Sequence, residues 1–351
     1  MQKHGRNAYY GREKQVNYPT VSVLMSTYNG EKYVREQIDS ILNQKDVNVK
    51  LLIRDDGSSD NTAAICKEYE KKNTNIKFYQ GKNIGVGRSF MELLRNAPEA
   101  DYYSFADQDD VWLEDKLSRA VKMIRIAEYS RELSQNQGGG YLINISMLKK
   151  KDSADEPVNA VLYASNQTMV DKDLDFICDR KINTYSCDLY YCISNNVICG
   201  CTMVMNRILR EYIINTFPEE IILRCKNHDG WTLYNAFVIG HVIYDEESRI
   251  LYRQHETNVV GGYNLYKKAT ILGRIKNMYS KKHFGIRSRL AESLVHLYGD
   301  IMDDKMKHRL ILISSANGID GVREIINDHE LRESFEKGDL LLYLKGVLRW
   351  I

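Results

Sequence analysis

Hydrophobic residues change their spacing repeatedly between Val21 and Asp107. VSVLMSTYN, from Val21, is a short apolar run closed by turn-forming residues, which predicts a buried strand. EKYVREQIDSILNQ then brings Val34, Ile38, Ile41 and Leu42 back at helical spacing, so one face of a helix is apolar. VKLLIRDDGSSDNT reads as a second buried strand ending in an acidic turn. NTAAICKEYEKK is a second helix with basic residues in its last turn, where the helix dipole favours them. IKFYQ, GRSFMELLRNA and DYYSFAD continue as strand, helix and strand. Strand and helix alternating at this interval predict an α/β fold, a mostly parallel central sheet flanked by helices.

In open sheets of this kind ligands sit at the carboxyl ends of the strands. The polar residues collect there: STYNGE after the first strand, DDGSSD after the second, KNIGVGRS after the third and DQDD at the end of the fourth. Four strands thus deliver Asp, Asn, Gly and Thr to one rim, the predicted site. Beyond it, three glycines in SQNQGGGY mark a loop, and residues 140–260 alternate short strands with a helix, including NVICGCTMVMNR and NHDGWTLYNAFVIG. The terminal residues from Gly321 read as helical, and there is no internal repeat.

Composition narrows the classes. A chain of 351 residues is long enough for a large α/β domain with an appendage. With 49 basic and 47 acidic side chains, its overall field does not point to nucleic acid, so any electrostatic function is local. Seven cysteines without framework spacing predict free thiols and a reducing, cytoplasmic setting. The longest apolar runs fall short of the roughly 20 residues that span a bilayer. Residues 1–19 are polar and read as a flexible arm.

The chemistry concentrates in ADQDDVW, Ala106 to Trp112. Asp107, Asp109 and Asp110 place three carboxylates within four residues with no Lys or Arg beside them in sequence. Such a group repels itself unless a cation compensates. Hard oxygen ligands at a strand end suit Mg²⁺ or Mn²⁺ shared with a diphosphate. A second reading is a cap, with Asp110 or Asp115 starting the helix through EDKLSRAVKMI. DDGSSDNT likewise fits a turn capped by Ser59 or Asp60. Cys178, Cys187, Cys192, Cys199 and Cys201 lack paired C-x-x-C spacing, so they read as buried thiols rather than a zinc site.

The ordered set VSVLMSTYNGEKYVREQIDSILNQ, IRDDGSSDNT, NIGVGRSF and FADQDDVWLEDKL resembles the family-2 glycosyltransferases of the GT-A fold over about residues 20–260. DQDDVW with GCTMVMNR, HDGW and YRQH is most similar to the bacterial rhamnosyltransferase-type branch that builds surface polysaccharides. The resemblance implies a GT-A domain over residues 20–262, with a nucleotide-binding half (20–115) and an acceptor half (116–262). It implies that Thr27, Tyr28, Asn29 and Glu31 border the base and ribose, and that Asp55 or Asp56 reads the imide N–H of uracil or thymine, a donor suited to a carboxylate. Gly85 and Gly87 would let backbone approach the nucleotide, and Arg88 would offer charge to phosphate. The resemblance implies Asp109 as the first metal ligand, Asp107 against the ribose or the metal, and His255 as a ligand beside the diphosphate, with Arg253 assisting the leaving phosphate. By the same resemblance Asp229 in KNHDGW would be the general base of an inverting transfer, a role compatible with capping its helix. Gly200, Cys201, Thr202, Trp231 and Asp110 would line the acceptor and sugar pocket, with Trp231 as a stacking face. Gly230 stands where similar members often carry an aromatic residue.

The implied reaction moves rhamnose or another hexose from a dTDP- or UDP-sugar to a saccharide or lipid-linked saccharide. Two rivals are a nucleotidyltransferase, for which STYNGEKY lacks the expected Gly-rich basic signature, and a catalytically silent nucleotide-sugar or polysaccharide scaffold. Residues 263–351 are expected to make up a basic, mainly helical C-terminal region. Tyr263 to Leu290 carry eight Lys or Arg and no acid, which fits either contact with an anionic membrane or a solvated helix face.

Overall fold

The computed structural model describes residues 17–130, 133, 142–144, 159–180, 187–194, 198–216, 218–256, 285–315, 323–325 and 327–336. Most of the 1–19 arm, the glycine-rich loop and most of the basic stretch lie outside them.

The first half follows the predicted alternation: β1 (Thr20–Thr27), α1 (Val34–Leu42), β2 (Asn48–Asp55), α2 (Thr62–Lys72), β3 (Ile76–Gln80), α3 (Val86–Arg95) and β4 (Tyr102–Ala106). β1 pairs in parallel with both β2 and β4, and β2 in parallel with β3. The two-residue period of a strand sends Val21, Val23 and Met25 to one face of β1 and Leu24 to the other. Val34, Ile38 and Ile41 of α1 cover the first face, while Phe90, Met91, Leu93 and Leu94 of α3 cover the second. Helices on both sides bury the sheet and leave its rim to carry polar groups.

The second half is β5 (Val111–Trp112), α4 (Lys116–Glu128), β6 (Leu142–Asn144), β7 (Ala160–Val170), β8 (Phe176–Asp179), α5 (Leu189–Ser194), β9 (Val204–Asn206), α6 (Arg207–Asn215), α7 (Glu220–Ile239) and β10 (Gly240–Arg253). The described strands form one sheet whose main path runs β3-β2-β1-β4-β9-β7-β10-β5. β9 runs antiparallel to β4 and β7, so β7 and β10 resume the direction of β1. The middle strands expected to be short include the two longest, β7 and β10, of 11 and 14 residues. Their mutual register fixes Arg253 opposite Val170 at the same rim as the acidic turn.

Helices α8 (Ile286–Tyr298), α9 (Asp304–Ser315) and α10 (His329–Glu336) follow. Leu290, Leu294, Leu310 and Ile313 share one hydrophobic cluster with Trp231 and Phe237 of α7, and the Tyr298 hydroxyl bonds to Asn235. These helices therefore brace the helix that carries Asp229. Among the described residues no helix is long and apolar enough to cross a membrane.

Candidate active site

The loop after β1 is tied to the loop after β2 by a ladder of short polar contacts. Asn29, with a left-handed φ of 49°, accepts from Ser59 N–H at 2.9 Å, and its own N–H donates to Ser58 Oγ at 2.8 Å. Glu31 accepts from the Asn61 N–H (2.9 Å) and its side-chain amide (2.8 Å). Thr27 is buried and donates to Asp55. Asp55 also accepts from the Ser58 N–H and from Gln80, while Asp56 pairs with Arg54 (2.5 Å) and accepts from the Ile84 and Gly85 N–H groups. Both acids are buried braces that tie the second and third loops together. Tyr28, 49% exposed, is the aromatic face the loop presents outward. Asp60, rather than Ser59, accepts from the Thr62 N–H at the start of α2.

Gly85 has φ +84°, with its N–H donated to Asp56 and its carbonyl accepting from the Ser89 N–H, so the glycine serves the turn conformation, with open space beside it where a Cβ would lie. Gly87 serves packing: a Cβ there would come within 3.0 Å of the Leu223 carbonyl, so glycine lets α3 and α7 close together. Arg88 forms a half-exposed ion pair with Glu220 at 2.6 Å.

Gln108 binds the acidic turn to the first loop, accepting from the Tyr28 N–H at 2.8 Å and donating to the Tyr28 carbonyl at 3.0 Å. Asp109 Oδ2 meets His255 Nε2 at 2.8 Å, which joins two residues 146 positions apart. Asp107, Asp110 and Cys201 place ligand-type atoms within 4.8 Å of one another. Burial, then the carboxylates of Asp109 and Asp229, push Asp107 up to about 7. Burial and the Asp109 and Asp107 charges drive Asp110 well above the carboxylate range, and its Oδ2 has no partner among the described residues. The Cys201 thiol, pushed far up by burial and by Asp110 and Asp107, stays protonated and is no ligand for a hard cation. The donor set that fits Mg²⁺ or Mn²⁺ is therefore carboxylate oxygen with the adjoining imidazole, and the crowded acids carry the charge deficit a cation relieves.

Asp229 reaches the same locus from the other half of the chain. α7 is broken at Asn227 (φ 54°, ψ −172°), so Asp229 lies in the first turn of its second segment, where the dipole favours a carboxylate. Its Oδ1 accepts from the Gly230 N–H at 2.8 Å. The turn Gly200–Thr202 packs against it: a Cβ at Gly200 would meet His228 Nε2 at 2.5 Å and Asp229 Cβ at 3.3 Å. Only glycine lets this turn close so tightly.

Several expectations are corrected. Trp231 is completely buried in the helical core and donates to the Thr216 carbonyl at 3.0 Å, so it offers no stacking face. Helix phase after the Asn227 break turns it away from Asp229. Asp110 is buried and accepts from the Arg253 N–H, so it lies behind Asp107 rather than in a sugar pocket. Cys201 and Thr202 side chains also point inward, leaving the Gly200 backbone as the part of that turn beside Asp229. Arg253 is a buried strut: it donates to the Asp109 carbonyl (2.8 Å) and the Lys172 carbonyl (2.6 Å), pairs with Glu36 and lies over the Tyr33 ring. Neither Asp110 nor Asp115 caps α4 through its side chain. The acids do have a cation nearby: buried Lys116, whose Nζ lies 3.5 Å from the Trp112 ring centre, is brought down to about 7 chiefly by burial.

Residues the sequence did not single out also build the site. Tyr33 stacks on His255 with ring centres 4.8 Å apart, which orients the imidazole toward Asp109. Helical spacing around Tyr33 gives no hint of a partner more than 200 residues away.

The family profile described as Glycosyl transferase family 2 matches residues 22–193. The dTDP-rhamnosyl transferase RfbG of Shigella flexneri is 31% identical over 272 residues, 74% of this chain and 81% of that protein. An uncharacterized glycosyltransferase of Rickettsia prowazekii is 25% identical over 247 residues, 69% of this chain and 66% of its own length. The solved structure of Staphylococcus aureus TarS 1–349 in complex with UDP superposes with a TM-score of 0.51 at 15% identity, covering 92% of this chain and 76% of that one, a likeness of fold. The sheet is that of the GT-A fold, and the chain belongs to glycosyl transferase family 2.

Proposed function

We propose that this protein transfers rhamnose or another hexose from a dTDP- or UDP-sugar, with inversion, to a hydroxyl of a saccharide or lipid-linked saccharide during synthesis of a cell-surface polysaccharide. The observation that carries the reading is the acidic turn bound to His255 through Asp109 at 2.8 Å, with Asp107 beside it and within electrostatic reach of Asp229. In this reading the acidic turn seeks the cation and Asp229, from the acceptor half, is the separate acid facing it. The name of the Shigella relative favours dTDP-rhamnose as donor.

In this reading residues 20–115 hold the nucleotide, with Tyr28 against the base, and residues 116–262 hold the acceptor. Asp107, Asp109 and His255 hold Mg²⁺ or Mn²⁺. The bound ion supplies positive charge that stabilises the departing diphosphate. Asp229 accepts the proton of the acceptor hydroxyl as its oxygen bonds to the anomeric carbon and the bond to diphosphate breaks. Tyr33 and Arg253 keep His255 and the Asp109 backbone in place, and the Gly200 turn excludes water beside the base.

A panel of nucleotide sugars, offered with and without Mn²⁺, tests this by release of nucleoside diphosphate. Turnover confined to dTDP- or UDP-sugars and dependent on metal is the expected result; no turnover of any donor under any metal would refute it. We also place the protein in the cytoplasm, resting on the inner face of the membrane through residues 263–290. Sedimentation with anionic but not neutral vesicles at low salt is the corresponding measurement.

A further inference from the structure

Among the described residues, the three buried arginines have carboxylate partners. Arg54 pairs with Asp56, Arg253 with Glu36, and Arg309 with Asp328. Arg180, which follows β8 and is half-buried, has none among the described residues. Among the described residues its side chain meets only a carboxamide oxygen and a thiol, Nη1 donating to Gln167 Oε1 at 2.7 Å and to Cys199 Sγ at 2.9 Å. Arg180 is half-buried, and residues 181–186, KINTYS, carry no acid.

Its surroundings place it beside the cleft. Cys199 immediately precedes Gly200, the residue packed on Asp229, and its thiol is within electrostatic reach of Asp229 and Asp107. Gln167, which holds the guanidinium, also lies 3.5 Å from Cys201 Sγ, at the back of the acidic turn. The guanidinium is thus fixed by two neutral groups on the acceptor side. A guanidinium held by two neutral groups keeps its charge unbalanced, and it is shaped to take two oxygens of one anion.

We propose that Arg180 recognises an anionic group, a carboxylate or a phosphate, carried by the acceptor saccharide. The inference rests on the transferase reading above and names the acceptor class for that site.

The test measures binding of three probes to the full chain by calorimetry in the presence of UDP and Mn²⁺: methyl β-glucoside, methyl β-glucuronide and methyl β-glucoside 6-phosphate. The wild type is expected to bind at least one anionic probe about tenfold or more tightly than the neutral one. In Arg180→Gln the ratio falls toward one, and in Arg180→Lys part of it returns. Melting temperatures of both variants verify the fold. Equal binding of neutral and anionic probes by the wild type, no binding of any probe, or an unchanged ratio in Arg180→Gln would overturn the inference. A uniform loss for all probes would assign Arg180 to through-space balance of Asp107 and Asp229, and also overturns it. Binding is read without turnover, so absence of donor turnover in the wild type would sink the transferase reading while this result stands separately.

Discussion

Gln108 and Tyr28 are joined as two strands are, the carboxamide accepting from the Tyr28 N–H and donating to its carbonyl across 80 residues of sequence. The contact locks the acidic turn to the loop that presents the exposed Tyr28 ring. Gly30 makes room for it, since a Cβ there would come within 2.2 Å of Gln108 Oε1.

Gln108→Ala should therefore loosen both loops and raise the KM for donor about tenfold, with a smaller change in kcat. Gly30→Ala should reproduce the defect by displacing the same amide. Because the two act through one contact, the double variant should be little worse than either single one. Additive losses in steady-state kinetics would show that the contact does not couple the loops.

Asp107 gives a pH signature to the metal-free protein. Its folded-state value, up at about 7 against the ordinary 3.8, means that the folded protein binds the proton more tightly than the unfolded chain. Stability attributable to this group is retained at acid pH and lost as pH rises from about 4 through about 7. Asp107→Asn should thus be more stable than the wild type at neutral pH by about 2 kcal/mol, allowing for partial exposure of the carboxylate, with the difference vanishing near pH 4. Denaturant melts in chelator measure this. Added Mn²⁺ should stabilise the wild type and leave the variant nearly unchanged.

The first half was legible because each element there is set by local pattern. Apolar runs make β1 to β4, helical spacing makes α1 to α3, and turn residues end them. The rim followed, since parallel topology alone brings the strand ends together. β7 was opaque because Ser165 and Gln167 are buried polar residues, Ser165 bonding to the adjoining Asn166 carbonyl and Gln167 to Arg180, so its alternation of polar and apolar positions is blurred. Trp231 beside Asp229 reads equally well as platform or core, and only the break at Asn227 decides. Tyr33, Lys116 and Arg180 owe their places to contacts across the fold, for which neighbours in sequence carry no signal.

Asp229 is assigned the proton transfer, and the assignment separates chemistry from binding. Asp229→Asn keeps the shape and the bond from the Gly230 N–H but cannot serve as base. Its kcat should fall by roughly 10² to 10⁴, while affinity for nucleoside diphosphate stays within about twofold. A loss of nucleotide affinity matching the loss of rate would place Asp229 in donor binding instead.

His228, next to that base, is buried against aromatic rings rather than polar groups. Its imidazole stacks on Phe90 with ring centres 3.9 Å apart and meets Phe105 edge-on at 4.7 Å. Neither ring nitrogen has a partner among the described residues, and burial brings the group down to about 3. The unfolded chain takes up the proton near the ordinary 6.5 while the folded one refuses it, so stability is lost as pH falls from about 6.5 toward 3. His228→Phe fills the same slot without a titrating group or orphaned nitrogens. Relative to the wild type it should gain stability on acidification, about 2 kcal/mol near pH 4.5, and differ little above pH 7. Parallel denaturation curves at the two pH values measure that difference, and a constant offset between the proteins would mean that His228 is charged in the folded state.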